Sequence, residues 1–311
     1  MQTLFGSAQS NSEFRAGSVV AIGNFDGIHL GHQSILETAR EHARELHLPL
    51  VVYTFNPHPT LELKPQSNLK LLMTYEEKRE LLPGFGVDYC VEERFDSAFA
   101  ALGAREFFEQ VLLASLHAKV IVVGDNFTFG RKREGSIPVL REFCHDASVT
   151  LCAIPPLEWD GGVISSSRIR ECLAQGRVSE AEKMLGRPFF YRSEVIHGDK
   201  RGRTLGFPTA NMKCQEKFPL RTGVYATSVL WHGSLYPSVT NVGVRPTFDS
   251  MDLRVETHIL DQSFELYGEH LEVRFHEHIR EERKFASIAD LTAQIASDTI
   301  LARKLLSSRN F

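Results

Sequence analysis

Short apolar runs and helix-period stretches alternate through the first half of the chain, and that alternation limits the fold more than any other feature. The runs lie at Ser18–Ile22, Leu50–Phe55, 87–91, 120–123 and 149–154. Helical patterns fall between them, over 33–46, 75–82, 104–116 and 139–144; in the third, Phe107, Phe108, Val111 and Leu112 line one stripe. Asn56-Pro57-His58-Pro59 ends the second run, because neither proline can donate to a ladder. Parallel strands need such crossovers, so the pattern predicts a doubly wound parallel sheet with helices on both faces. In these sheets ligands bind beyond the carboxyl ends of the strands. The polar stretches at Asn24, His58 and Asp125-Asn126 all fall at that end.

The first of them is Gly23-Asn24-Phe25-Asp26-Gly27-Ile28-His29-Leu30-Gly31-His32, which joins the first run to the first helix. Three glycines let the backbone approach a ligand closely. The free amides of the opening helical turn, with the helix dipole behind them, favour an anion. His29 and His32 are three apart and project from one face of that turn. Three readings compete. Incidental histidines on a plain strand–turn–helix connection would look the same. A G-x-G-x-x-G dinucleotide fingerprint fits poorly, because the glycine spacing is wrong. The H-x-G-H signature of nucleotidyl transferases fits best, in the extended form G-N-F-D-G-x-H-x-G-H. Further on, Ile164-Ser165-Ser166-Ser167-Arg168-Ile169-Arg170 reads equally well as serines capping a helix and as hydroxyls and an arginine meeting phosphate.

Composition narrows the function classes. At 311 residues the natural prior is two domains. A net charge of −4 provides no broad basic field, so no nucleic-acid partner is expected. There is no apolar run of membrane-spanning length and no signal-peptide core at the N-terminus, so no membrane is expected and the protein reads as cytoplasmic. Cys90, Cys144, Cys152, Cys172 and Cys214 are scattered and odd in number, which speaks against a disulfide framework or a zinc site.

A helical pair over 169–173 and 179–185 ends at Gly186-Arg187-Pro188, which divides the chain into 1–186 and 187–311. Beyond it, strand-like runs recur at short spacing over 191–196, 224–230, 238–242, 254–259 and 271–275, with no helices between. They predict a small antiparallel β-barrel or sandwich, followed by a terminal helix over 287–306 with Ile288, Leu291, Ile295 and Leu301 packed against it. Two features here carry chemistry. The loop 197–211 is glycine-rich and basic and ends in Pro208-Thr209-Ala210-Asn211, where a hydroxyl and an amide carbonyl are hard ligands suited to Mg2+. A solvated hairpin with a charge run is the bland account of it. Glu256 lies on a strand and shares a face with Arg254 and His258.

The motifs in order resemble the bifunctional bacterial riboflavin kinase/FAD synthetase family across nearly the whole chain. They are G-N-F-D-G-I-H-L-G-H, T-F-N-P-H-P, G-D-N-F-T-F-G, I-S-S-S-R-I-R, L-G-R-P, G-R-T-L-G-F-P-T-A-N, N-V-G-V-R-P-T and E-T-H. Ser167 stands where the family usually has Thr, and Asn126 where many members have Asp. The resemblance implies an N-terminal nucleotidyl transferase domain that adenylylates FMN to FAD and a C-terminal barrel that phosphorylates riboflavin to FMN. ATP and Mg2+ serve both sites. His29, His32 and Arg170 would act on the ATP phosphates, with Ser166 and Ser167. Gly23, Asn24, Phe25, Asp26 and Gly31 would shape the turn, and Asn126 would hold the nucleotide or flavin side. In the barrel, Glu256 would be the base, Thr209 and Asn211 would hold Mg2+, and Gly206 and Pro208 would border the ATP phosphates. A monomer or weak homo-oligomer is expected. Two alternatives stay open: FAD synthesis alone with a flavin-storing barrel, and an H-x-G-H domain fused to an oligonucleotide-binding barrel.

Overall fold

The computed structural model describes residues 1–9, 13–197, 206–213, 218–246, 251–262, 264–307 and 309. Residues 198–205 of the loop expected over 197–211, Cys214 and Thr247 lie outside the described residues. Two compact units result, Met1–Ser166 and Ser167–Phe311.

The first unit is built on six parallel strands. They are β1 (Gln2–Phe5), β2 (Ser18–Ile22), β3 (Leu50–Phe55), β4 (Tyr89–Glu93), β5 (Ala118–Gly124) and β6 (Thr150–Ile154), in the order β1-β4-β3-β2-β5-β6. Alternate side chains enter two separate cores. Val19, Ala21, Leu50, Val52, Val120 and Val122 pack on one face with Ile35, Leu36 and Ala39 of helix α1 (Leu30–Leu46). Val20, Ile22, Val51, Tyr53, Ile121 and Val123 pack on the other, against Phe107, Phe108, Val111 and Leu112. Both faces are covered, as near-continuous apolar strands require.

The connecting helices are α2 (Pro59–Leu63), α3 (Tyr75–Leu81), α4 (Ser97–Ala100), α5 (Ala104–Glu106) and α6 (Ile137–Asp146). A capping box between Thr74 and Glu77 starts α3. The stripe over 104–116 is buried as its spacing predicts, but α5 runs on as π-helical turns through Phe107–Ser115. Leu116 N–H there reaches back five residues to the Val111 carbonyl. The N-terminal strand β1, unread in the sequence, lies parallel to β4 at the sheet edge.

Strand order reverses at β2: β3 flanks it on one side and β5 on the other. The carboxyl ends of β2 and β5 therefore bound the crevice where a doubly wound sheet binds ligands. The glycine-rich turn leaves β2 at that point, and Asp125-Asn126 leaves β5 beside it.

A small hairpin, β7 (Glu158–Trp159) with β8 (Gly162–Val163), precedes helices α7 (Ser166–Ala174) and α8 (Val178–Leu185). Strands β9 (Phe189–Ile196), β10 (Ala210–Lys213), β11 (Gly223–Trp231), β12 (Ser234–Pro246), β13 (Met251–Ile259) and β14 (His270–Arg280) close an antiparallel barrel in the order β10-β13-β12-β11-β14-β9. Inside runs a chain of buried hydroxyls, Ser238 to Thr227 (2.8 Å), Thr227 to Thr240 (2.8 Å) and Thr240 to Thr257 (2.9 Å), so these four hydroxyls satisfy one another. Helix α9 (Ile288–Leu306) packs on the outside through Ala302 and Leu306 against Val224, Ala226 and Val239.

The stripe expected on α9 is corrected here. Ile288 is 70% and Leu301 40% exposed, whereas Asp298 is buried. Arg280 on β14 donates three hydrogen bonds of 2.8–3.0 Å to Asp298, and this ion pair draws the helix face carrying Asp298 inward. Apolar spacing alone could not reveal a face anchored by a charge.

Candidate functional sites

The turn after β2 is tightly held. Phe25 (φ 49°) and Ile28 (φ 37°) both adopt the left-handed region and are completely buried. For a β-branched residue such as Ile28 that conformation is an outlier, of the kind that clusters at ligand sites. Around them the turn is tied down on three sides. Asp26 accepts from Leu72 N–H (2.9 Å), its carbonyl accepts from the Ser166 hydroxyl (2.9 Å), and Gln33 reaches the Ile28 carbonyl (2.9 Å).

His29 caps α1, its Nδ1 accepting from His32 N–H at 3.3 Å, so the neutral ring keeps its proton on Nε2. The two imidazoles stack with centroids 3.7 Å apart and planes within 17°. His32 is only partly covered as a residue, but its Nδ1 is shut off from solvent without a hydrogen-bond partner among the described residues. Burial, reinforced by His29 and then Lys78, holds the His32 imidazole well below its usual range, so it is neutral at neutral pH. A side chain at Gly31 would meet the His29 ring at 3.2 Å, and one at Gly23 the Phe25 ring at 3.3 Å, so both glycines give room to rings.

Of the other residues singled out, Asn126 stands exposed on the loop beyond β5. Ser166 touches the turn directly. Ser167 and Arg170 lie on the first turns of α7, counted with the second unit.

In the barrel, strand register sets a row of polar residues. Glu256 on β13 pairs with Asn211 on β10 and with Asn241 on β12. Directly opposed residues in antiparallel strands share a face. Val255 and Thr257 turn inward and are completely buried, while Arg254, Glu256 and His258 remain partly exposed, as the alternation predicts. His258 Nδ1 donates to the Pro208 carbonyl (2.8 Å), and the Asn211 amide donates to the Thr209 carbonyl (3.4 Å). Gly206 has a positive φ of 82° with open space beside it.

Comparison with known proteins matches residues 11–168 to the FAD synthetase family and residues 185–306 to the riboflavin kinase family. The bifunctional riboflavin kinase/FMN adenylyltransferase of Escherichia coli K12 is 41% identical over 297 residues, 93% of this chain and 92% of that protein. Its counterpart from Haemophilus influenzae is 38% identical, covering 99% of this chain and all of that one. The chain belongs to this bifunctional family. A crystal structure of the macrolide-efflux protein from Streptococcus pneumoniae aligns over 97% of this chain and 99% of that one, at a TM-score of 0.88 and 34% identity. Among the described residues no helix is long and apolar enough to cross a membrane.

For a member of this family, sequence reasoning missed one group beside the turn. Lys78 on α3 is 3% exposed, and its ammonium donates to the Asn24 carbonyl (3.2 Å) and the Thr54 hydroxyl (2.9 Å). It sits in Glu76-Glu77-Lys78-Arg79-Glu80, a charge run that reads as a solvated helix face. Asn241 lies within N-V-G-V-R-P-T, and only strand register brings it beside Glu256.

Proposed function

We propose an assignment of the family's two reactions to this chain's residues. The protein phosphorylates riboflavin with ATP to give FMN, then adenylylates FMN with a second ATP to give FAD and pyrophosphate. The match of the second half to riboflavin kinases favours both activities over FAD synthesis with a passive barrel. The functional boundary is put at 186/187, beside the start of that match at residue 185.

In adenylyl transfer the nucleophile is a phosphate oxygen of FMN, already an anion at neutral pH. It needs no general base. The demand is for in-line positioning, and for stabilising charge on the reacting phosphorus and the departing pyrophosphate. Two stacked imidazoles, backbone amides at a helix start, hydroxyls and an arginine meet that demand. His29, His32 and Arg170 act on the phosphates, Ser166, Ser167 and Asn126 bind the nucleotide, and Gly23, Asn24, Phe25, Asp26 and Gly31 form the cradle. The observation that carries this reading is the stacked His29–His32 pair on the opening turn of α1, at the switch point of the sheet.

In the kinase reaction the nucleophile is a neutral ribityl hydroxyl. Glu256 accepts its proton as the oxygen attacks the γ-phosphorus, which then leaves ADP. Thr209 and Asn211 offer neutral oxygen donors of the hard type that suits Mg2+, and would hold the ion. Bound there, Mg2+ would offset negative charge on the phosphates. Gly206 and Pro208 border them. The proposed setting is cytoplasmic, with the chain a monomer or weak homo-oligomer and without a nucleic-acid partner.

The test is a time course with riboflavin, ATP and Mg2+, the flavins separated by chromatography. FMN that rises and then passes into FAD is expected. FMN that accumulates without FAD would overturn the role given to the turn.

A further inference from the structure

Three groups converge under the glycine-rich turn. Lys78 Nζ donates to the Asn24 carbonyl and the Thr54 hydroxyl, and that hydroxyl donates to the same Asn24 carbonyl at 3.2 Å. The triangle ties α3 to the ends of β2 and β3, at the switch point. A small pocket, with room for about one water molecule, opens beside it, lined by Lys78, Asn24, Asp26, His58 and Tyr75. The Lys78 ammonium also lies 5.2 Å from the Tyr75 ring centroid.

A buried ammonium with neutral acceptors is costly, and a fold needing only packing there would be as well served by Met. The charges around it are spoken for. Glu92 is buried in an ion pair with Arg79, and Asp26 accepts from Leu72 N–H. Burial pulls the Lys78 ammonium below its usual range, with Cys90, Glu92 and Asp26 opposing that pull. Left-handed Phe25 directly follows the carbonyl it grips and left-handed Ile28 comes three residues later, and such strain persists only where the surroundings hold it.

We infer that Lys78 is a positioning residue for adenylyl transfer: it fixes the Asn24 carbonyl, and with it the turn that presents His29 and His32, and it places a desolvated positive charge behind the site of the ATP phosphates. The inference rests on the proposed role of the turn.

The test is a double-mutant cycle of Lys78→Met and Thr54→Val, with FMN synthesis by the same preparations as the internal control. Lys78→Met should lower kcat for FAD synthesis by about 30-fold or more, with KM for FMN within about threefold. Its melting temperature and FMN synthesis should stay unchanged. Thr54→Val should cost about tenfold, and the double variant should be no slower than Lys78→Met, because both act through one carbonyl. Three results would overturn the inference: kcat for Lys78→Met close to that of the unmodified chain, effects that multiply in the double variant, or joint loss of both activities. His29→Asn run alongside separates the two ideas. If it stays active, the reading of the turn fails; if it is inactive while Lys78→Met is active, only the role of Lys78 fails.

Discussion

The Nδ1 atom of His29 receives the backbone N–H of His32 while the two rings lie face to face, 3.7 Å between centroids. One side chain thus caps α1 and, in the proposed mechanism, also acts on the ATP phosphates. The two roles can be separated. In His29→Asn the amide oxygen can take over the cap, which is otherwise worth about 1 kcal/mol. The melting temperature should hold, while FAD synthesis falls about 100-fold and FMN synthesis is untouched. Thermal melts and the two activity assays on one preparation check this.

The barrel should be sensitive to acid. His276 is buried between the Ser228 hydroxyl (2.8 Å) and the Arg309 guanidinium (2.8 Å), which donates to Nδ1. Burial, then Arg309 and Arg274, lower its pKa to about 3. The sign follows: the unfolded chain takes up this proton near pH 6.5 and the folded one does not, so stability falls as pH drops below that value. This histidine alone contributes up to about 1.4 kcal/mol per pH unit between about pH 6.5 and 3. Denaturant midpoints between pH 7.5 and 5 should fall, and His276→Gln should flatten the fall.

Asp298 anchors α9. Asp298→Ala would leave Arg280, 19% exposed, without its carboxylate, at a cost of about 3–5 kcal/mol. Asp298→Asn should cost less, because an amide oxygen can still accept. Denaturant unfolding of the two variants should rank them in that order.

The first unit was legible because each of its central strands feeds two cores. Val19 and Val20, or Val51 and Val52, face opposite helices, so whole runs are apolar. Strand β1 was not legible, since four residues paired at an edge leave no periodic signal. The π-helical turns keep the same residues buried as α-helix would, so the stripe survived while the hydrogen bonding did not show. Glu256 and the His29–His32 pair stood out by motif. Lys78 did not, because its partners are a backbone carbonyl and a hydroxyl contributed by distant segments. Charge runs hide a buried lysine, just as apolar stripes hid Asp298.

The most direct test of two sites on one chain is cross-feeding. Glu256→Gln and His29→Asn are each supplied with riboflavin or FMN, together with ATP and Mg2+, and the products are separated. The account predicts that Glu256→Gln makes FAD from FMN but almost nothing from riboflavin, and that His29→Asn converts riboflavin to FMN and stops. Mixed together, the two variants should restore FAD synthesis from riboflavin. If either substitution abolishes both reactions in a folded protein, or Glu256→Gln still phosphorylates riboflavin at the unmodified rate, the two-site account is contradicted.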